Sequence, residues 1–268
     1  MDVKRVLFIN QEITPYLPPT RLATVGRELP QGMQERGCEV RTFMPKYGGI
    51  NERRNQLHEV IRLSGINMII DDTDHPLIIK VATLLPTRMQ VYFIYNDDYF
   101  QRGGTKELET ITSPDDNDER SIFFIRGAIE TVKKLRWAPD VIHCNGWLTA
   151  LAPLYLKHIY KDDPSFLNTK IVYSLYDSQP PKPLNARLAE KLKLDGIAPS
   201  DLAQIEGKEV DAQTLTRLAV THADGVIQYS ENIDPEILGY IKETGVPFLP
   251  CQSQDGYIDA YAEFYKSL

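Results

Sequence analysis

Ala138-Pro139-Asp140-Val141-Ile142-His143-Cys144-Asn145-Gly146-Trp147-Leu148-Thr149-Ala150-Leu151 is the stretch whose reading decides the fold. A Pro-Asp start leads into a short β-branched run and then a polar knot. An apolar pattern at Leu151, Leu154, Tyr155 and Ile159 follows with helical spacing. That succession predicts strand, tight turn and helix in an α/β sheet. In an open parallel sheet, ligands bind at the turns that leave the carboxyl ends of the strands. His143, Asn145, Trp147 and Thr149 crowd into this turn and are the most site-like side chains in the sequence.

Outward from that turn, the same logic recurs. Val3–Ile9 is a compact β-branched run that predicts an opening strand, and Glu39–Met44 predicts a second. A helix from Thr24 to Arg36, stopped by Gly37, joins them into a right-handed βαβ unit. The connecting loop from Gln11 to Thr20 holds Pro15, Pro18 and Pro19 and is too proline-rich for helix. Ile78–Ala82 and Gln90–Tyr95 read as strands, and Gly103–Pro114 as a mobile loop. Asp115 to Glu119 precede the apolar positions Ile122 to Leu135, where acids suit a helix start. Lys170–Leu175 and Ala223–Ser230 add strands, with helical, polar sequence over residues 185–215 between them. Val246–Leu249 and an amphipathic Tyr257–Tyr265 close the chain. Residues 1–268 are expected to form one α/β domain. Its Rossmann-like, doubly wound, mostly parallel sheet should have Val3–Ile9, Val40–Met44, Val141–Cys144, Ile171–Leu175 and Val226–Gln228 as neighbours.

Composition narrows the function. The 268 residues are 42% hydrophobic and 25% charged, ordinary values for a globular domain. A net charge of −7 argues against nucleic-acid or anionic-membrane binding. No apolar run approaches membrane-spanning length. Three scattered cysteines, Cys38, Cys144 and Cys251, form no metal-ligand spacing and point to a reducing cytoplasm. His58 and His75 read as solvated surface, and Asp71, Asp72 and Asp74 as a solvated turn rather than a cation loop. No metal and no cofactor are expected.

The central stretch resembles the pattern P-D-V-[IV]-H-x-x-D-W-[HQ]-[TA]-[AG]-L of the glycogen and starch synthases. Gln11-Glu12 with Pro15, then Leu22-Ala23, Leu29-Pro30, Arg36-Gly37 and Met44-Pro45-Lys46-Tyr47-Gly48, resemble the first βαβ unit of the same family. Asn96 to Arg102 resemble its N-x-x-Y-F-x-R segment, which brings in Tyr99, and Ala223 to Ser230 resemble its A-D-x-V-x-T-V-S step. The similarity runs over roughly residues 3–235 and corresponds to the N-terminal domain of a GT-B glycosyltransferase. In that family a C-terminal domain supplies most contacts to the nucleotide sugar, and none is expected here. The resemblance implies glucosyl transfer from ADP- or UDP-glucose to an α-1,4-glucan. It implies Glu12, Arg21, Tyr99, His143, Asn145 and Trp147 as candidate substrate-binding residues, and no residue is assigned as catalytic.

Four departures from the family pattern bear on that activity. Pro18-Pro19-Thr20-Arg21 stands where the family has K-x-G-G, whose glycines let backbone N–H groups approach the donor phosphates. Proline removes those donors, so this loop is expected to be structural, with Arg21 restoring only charge. Leu148 replaces a histidine that contacts the transferred sugar, and it can neither donate nor accept a hydrogen bond. Gly146 stands at the aspartate position, and Tyr176 to Pro183 replace a loop that carries a histidine and an asparagine. His143 has two readings, a structural histidine holding the turn or a catalytic one, with the structural one favoured; Trp147 is expected in the core. The isolated chain is therefore expected to be inactive, with an α-glucan, a nucleotide sugar or a separate synthase C-terminal half as its partner. The alternative is a non-catalytic glucan-binding or regulatory subunit that keeps the synthase fold.

Overall fold

A computed structural model describes residues 2–101 and 115–268. Along the chain run β1 (Arg5–Asn10), α1 (Arg21–Glu35), β2 (Glu39–Pro45), β3 (His58–Glu59), β4 (Ile66–Ile70), β5 (Thr73–Leu84), β6 (Met89–Tyr95) and the single turn α2 (Asp97–Phe100). Then come α3 (Asn117–Lys134), β7 (Val141–Asn145), α4 (Ala152–His158), β8 (Lys170–Leu175) and α5 (Leu188–Leu194). The described chain finishes with α6 (Ala212–His222), β9 (Gly225–Gln228), α7 (Pro235–Thr244), β10 (Phe248–Leu249) and α8 (Tyr257–Ser267). The loop expected at Gly103–Pro114 lies outside the described residues.

The strands form one sheet in the order β10-β9-β8-β7-β1-β2-β6-β5-β3, with β4 paired to β5. Pairing is parallel from β10 through β6 and antiparallel at β5. The five strands expected to be neighbours are contiguous, with Val6 opposite Val40 on one side and Val141 on the other. The chain leaves β1 toward β2 and later returns to β7 on β1's other flank. The loops after β1 and β7 therefore diverge, and a crevice opens between them.

Strand alternation sorts the two faces. Val6 and Phe8 pack with Val25, Leu29 and Met33 of α1 and with Tyr261, Phe264 and Tyr265 of α8. Leu7 and Ile9 face the larger core, built with Ile122 and Ile125 of α3 and Leu154 of α4. Helix α1 starts three residues earlier than its apolar pattern suggests, because Thr20 caps it by accepting a 2.9 Å hydrogen bond from Ala23 N. Residues 185–215 are not continuously helical. Gly196 at φ +99° ends α5, and a short 3-10 turn at Pro199–Leu202 intervenes before α6.

His75 is the clearest departure from expectation. It is only 8% exposed, with Nδ1 2.9 Å from Asp98 and Nε2 2.8 Å from the Thr73 hydroxyl and 3.0 Å from that of Tyr99. Asp74 and Pro76 on either side of it lie on the outward face of β5, whereas alternation turns His75 inward. The acids at the head of α3 also serve more than the helix dipole. Asp118 and Glu119 each accept a 2.6 Å bond from Lys191 of α5, and Asp116 makes no side-chain cap bond to the helix.

Candidate functional site

The turn after β7 is locked from below. Gly146 has φ +93°, and a Cβ there would lie 2.7 Å from Gln11 Cβ, so only glycine lets the β1 and β7 loops meet this closely. Gln11 exploits the contact: its Oε1 accepts from Leu148 N at 3.1 Å, and its own N–H donates to Asn145 O at 3.0 Å. Thr149 Oγ1 donates to Gly146 O at 2.7 Å, and Ser121 Oγ to Leu148 O at 2.7 Å. Leu148, at the position of the family histidine, is 2% exposed and packs into the core.

His143 and Asn145 belong to the strand and sit below the rim. His143 follows Val141 on the α8-facing side, fully buried, with Nδ1 against the Tyr265 hydroxyl and Nε2 2.6 Å from Ser174 Oγ. Burial pushes its pKa down to about 3, so the ring is neutral at ordinary pH. Asn145, also fully buried, donates to Asn10 Oδ1 at 2.7 Å and accepts from the Tyr176 hydroxyl at 3.0 Å. These bonds tie the ends of β1, β7 and β8 together.

The other expected residues divide by position. Glu12 is 3% exposed and accepts from Thr20 Oγ1 at 2.6 Å, with burial holding its carboxyl above the usual range against that bond and a second from Gln11. Gly26 of α1 makes room for this loop, since a Cβ there would stand 2.3 Å from Glu12 O. Tyr99 is 2% exposed and donates to Glu119 at 2.9 Å beside His75, on the β6 side of the rim. Burial and the neighbouring Glu119 carboxylate push its phenol far up. Trp147 is 5% exposed within the core, and its indole N–H has no partner among the described residues. Arg21 alone of the six is exposed, at the first position of α1.

Two clefts open on this rim. The first, of about 90 Å³, lies beside the central turn between the end of β8 and the starts of α6 and α7. Trp147 and Tyr176 wall it, with Asp177, Gln179, Gln213 and Asp234 as polar lining. Among the described residues, no lysine or arginine lines it. Gln213 Nε2 donates to Asp234 at 2.7 Å, and that bond chiefly holds the Asp234 carboxyl below its usual range. Asp177 accepts from Ser230 Oγ at 3.0 Å. The first cleft thus offers aromatic surface, amides and carboxylates, a set suited to hydroxyl groups and hostile to phosphate. The second cleft, of about 390 Å³, includes Arg21, Glu28, Tyr229, Gln254 and Tyr257. The Tyr176 and Tyr229 rings, 4.9 Å apart, stand between the two.

Of these features, the lining residues of the β8, α6 and α7 side were not legible in sequence as a site. Only the loss of the family's histidine-bearing loop at Tyr176 to Pro183 hinted at altered chemistry there. Among the described residues, no group of three His, Cys, Asp or Glu side chains could hold a metal ion, and no helix is long and apolar enough to cross a membrane.

Comparison with known proteins agrees with this geometry. The profile of the starch synthase catalytic domain matches residues 5–246. The chain is 34% identical over 230 residues to the glycogen synthase of Chlorobium luteolum, covering 83% of this chain and 47% of that protein. It is 33% identical over 241 residues to the glycogen synthase of Chlorobium limicola, covering 90% and 48%. The chain thus spans about half the length of the curated relatives it matches. In structure it is similar to the catalytic domain of starch synthase IV from Arabidopsis thaliana bound to ADP and acarbose. The TM-score is 0.74 at 18% identity, over 95% of this chain and 53% of that one, a likeness of fold. With the parallel sheet, the switch-point crevice and a profile match over nearly all its length, this chain belongs to the starch synthase catalytic domain family.

Proposed function

We propose that this chain is a glucosyltransferase domain of α-glucan biosynthesis that serves the glucan side of the reaction. A glucosyl group from ADP- or UDP-glucose would pass to an α-1,4-glucan, with the nucleotide sugar held by a synthase C-terminal half, as in the family. The observation that carries this reading is the cleft beside Gly146 and Trp147, rich in hydroxyl-binding groups and without a cation among the described residues. A phosphate-bearing donor would meet two carboxylates there, whereas a pyranose would meet acceptors for its O–H groups and aromatic walls.

The six candidate residues fall into two roles in this proposal. Arg21, which reaches solvent, would contact a ligand directly, and Trp147 would form a wall. Glu12, Tyr99, His143 and Asn145 position the loops by the hydrogen bonds described above. A reducing cytoplasmic setting suits the three free cysteines.

Radiolabel transfer to glycogen tests the proposal, with the pure chain alone and after addition of the C-terminal half of a related glycogen synthase. Each missing charge-stabilising contact costs about 3–4 kcal/mol in the transition state, on the order of a hundred- to a thousandfold in rate. The chain alone should therefore give no more than trace incorporation, and the mixture measurable turnover. Vigorous transfer by the chain alone would refute the division of labour.

A further inference from the structure

The second rim cleft occupies the place where the family pattern has its glycine-rich phosphate loop, yet its chemistry has changed. Pro19, Thr20, Arg21 and Thr24 come from the loop and the start of α1, Glu28 from the next turn, and Tyr229, Gln254 and Tyr257 from the opposite wall. Pro18 and Pro19 bring no N–H groups to an anion. Among the N–H groups at the helix start, that of Ala23 is already bonded to the Thr20 hydroxyl at 2.9 Å. Arg21 supplies one positive charge, and Glu28 in the same cleft supplies one negative charge. The lining is therefore neutral overall among the described residues, and a phosphate drawn to Arg21 would share its cleft with a carboxylate.

What remains suits a neutral, hydroxyl-rich chain. The Tyr229 and Tyr257 rings meet at 81° with centroids 6.1 Å apart, forming an aromatic corner. The Tyr257 hydroxyl donates to Glu28 at 3.4 Å, a long contact that leaves the carboxylate capacity for further donors. Guanidinium, carboxylate and side-chain amide together can both donate to and accept from vicinal hydroxyls, and the half-buried Tyr229 ring, backed by the 6% exposed Tyr257, gives the apolar face of a pyranose ring an edge to rest on.

We propose that the cleft of Arg21, Glu28, Tyr229, Gln254 and Tyr257 is a second oligosaccharide-binding site, one that takes an α-1,4-glucan segment in place of a nucleotide phosphate. It rests on the glucan-side reading only for the identity of the sugar. Because its test measures binding, failure of the mixing assay leaves it standing.

The experiment is isothermal titration of the full chain with maltoheptaose and, separately, with inorganic pyrophosphate. Glu28→Ala combined with Gln254→Ala removes two exposed hydrogen-bonding side chains, and circular dichroism with thermal melting monitors the fold. A Gln213→Ala variant reports on the first cleft. The double variant should keep its melting midpoint and lose about tenfold in maltoheptaose affinity at a site that Gln213→Ala leaves intact. Pyrophosphate should give no saturable heat. Maltoheptaose binding that responds only to Gln213→Ala, absence of maltoheptaose binding, or saturable pyrophosphate binding abolished by Arg21→Ala would each overturn the proposal.

Discussion

At the scale of single residues, His143 shows how position on a strand overrides chemical promise. The imidazole is conspicuous in sequence beside Asn145 and Trp147, yet β7 alternation directs it between Tyr265 and Ser174 rather than to the rim. Its depressed pKa has a stability consequence with a definite sign. The native ring protonates near pH 3 and the unfolded ring near its ordinary 6.5, so the unfolded chain binds the extra proton between those values. The contribution is whole above pH 6.5 and is lost as pH falls, reaching about 2 kcal/mol at pH 5. The half-buried His222, lowered mainly by burial, acts in the same sense, while Glu12 and Asp195, raised mainly by burial, oppose it at lower pH. Comparison of His143→Gln with the parent chain isolates the term. Urea unfolding should show a loss of about 1–3 kcal/mol for the variant at pH 7.5 and a shallower fall between pH 6.5 and 5. Parallel pH profiles for the two proteins would contradict the burial of a neutral ring.

At the scale of elements, the arrangement turns on contacts that join distant segments. Lys191 on α5 is 4% exposed in its side chain and holds Asp118 and Glu119 at the head of α3, each at 2.6 Å. Burial pulls its ammonium pKa down, but bonds to the two carboxylates outweigh that and raise it. Glu119 passes the link to Tyr99, and Tyr99 to His75 and thence to Asp98. Lys191→Met should leave two carboxylates without their cation and cost about 3–5 kcal/mol in urea unfolding at pH 7.5. A loss below about 1 kcal/mol would mean that the pair is hydrated and the network loose. Neither partner was legible as such, because the acids fit a helix start and Lys191 reads as one of several surface charges on a polar segment. On the other face of the sheet, α8 plays a comparable part. Tyr261 and Tyr265 cover β1 and β7 and close the pocket in which His143 lies.

At the scale of the whole molecule, charge separates the two substrates of the proposed reaction. A net charge of −7 disfavours an anionic nucleotide sugar and leaves a neutral glucan unaffected. Glucan binding should accordingly hardly change between about 50 and 500 mM salt, since screening acts on charges and the ligand has none. Binding of maltoheptaose across that range, followed by titration calorimetry, checks this. A steep fall in affinity with salt would point to a charged ligand site and away from the glucan side. The fold places both clefts at the carboxyl ends of the parallel strands, where the loops are free to vary while the sheet beneath is held by pairing.

The linear chain by itself determined the parallel sheet. Val141–Cys144, Ile171–Leu175 and Val226–Gln228 carry local apolar periodicity, and Gly37 and Gly146 mark turns by needing backbone angles that other residues resist. It also determined that Pro18 and Pro19 bring no N–H groups to the loop before α1, because proline's missing N–H is a property of the residue and needs no neighbour. Only the tertiary structure decided that His143, Asn145 and Glu12 lie beneath the rim, that His75 is buried, and that Tyr229 and Tyr257 share a cleft with Arg21. Those outcomes depend on which segments pack together, for His143 and Tyr265 across 122 residues of sequence. Side-chain burial and electrostatic environment arise from that packing, and local patterns carry no record of it.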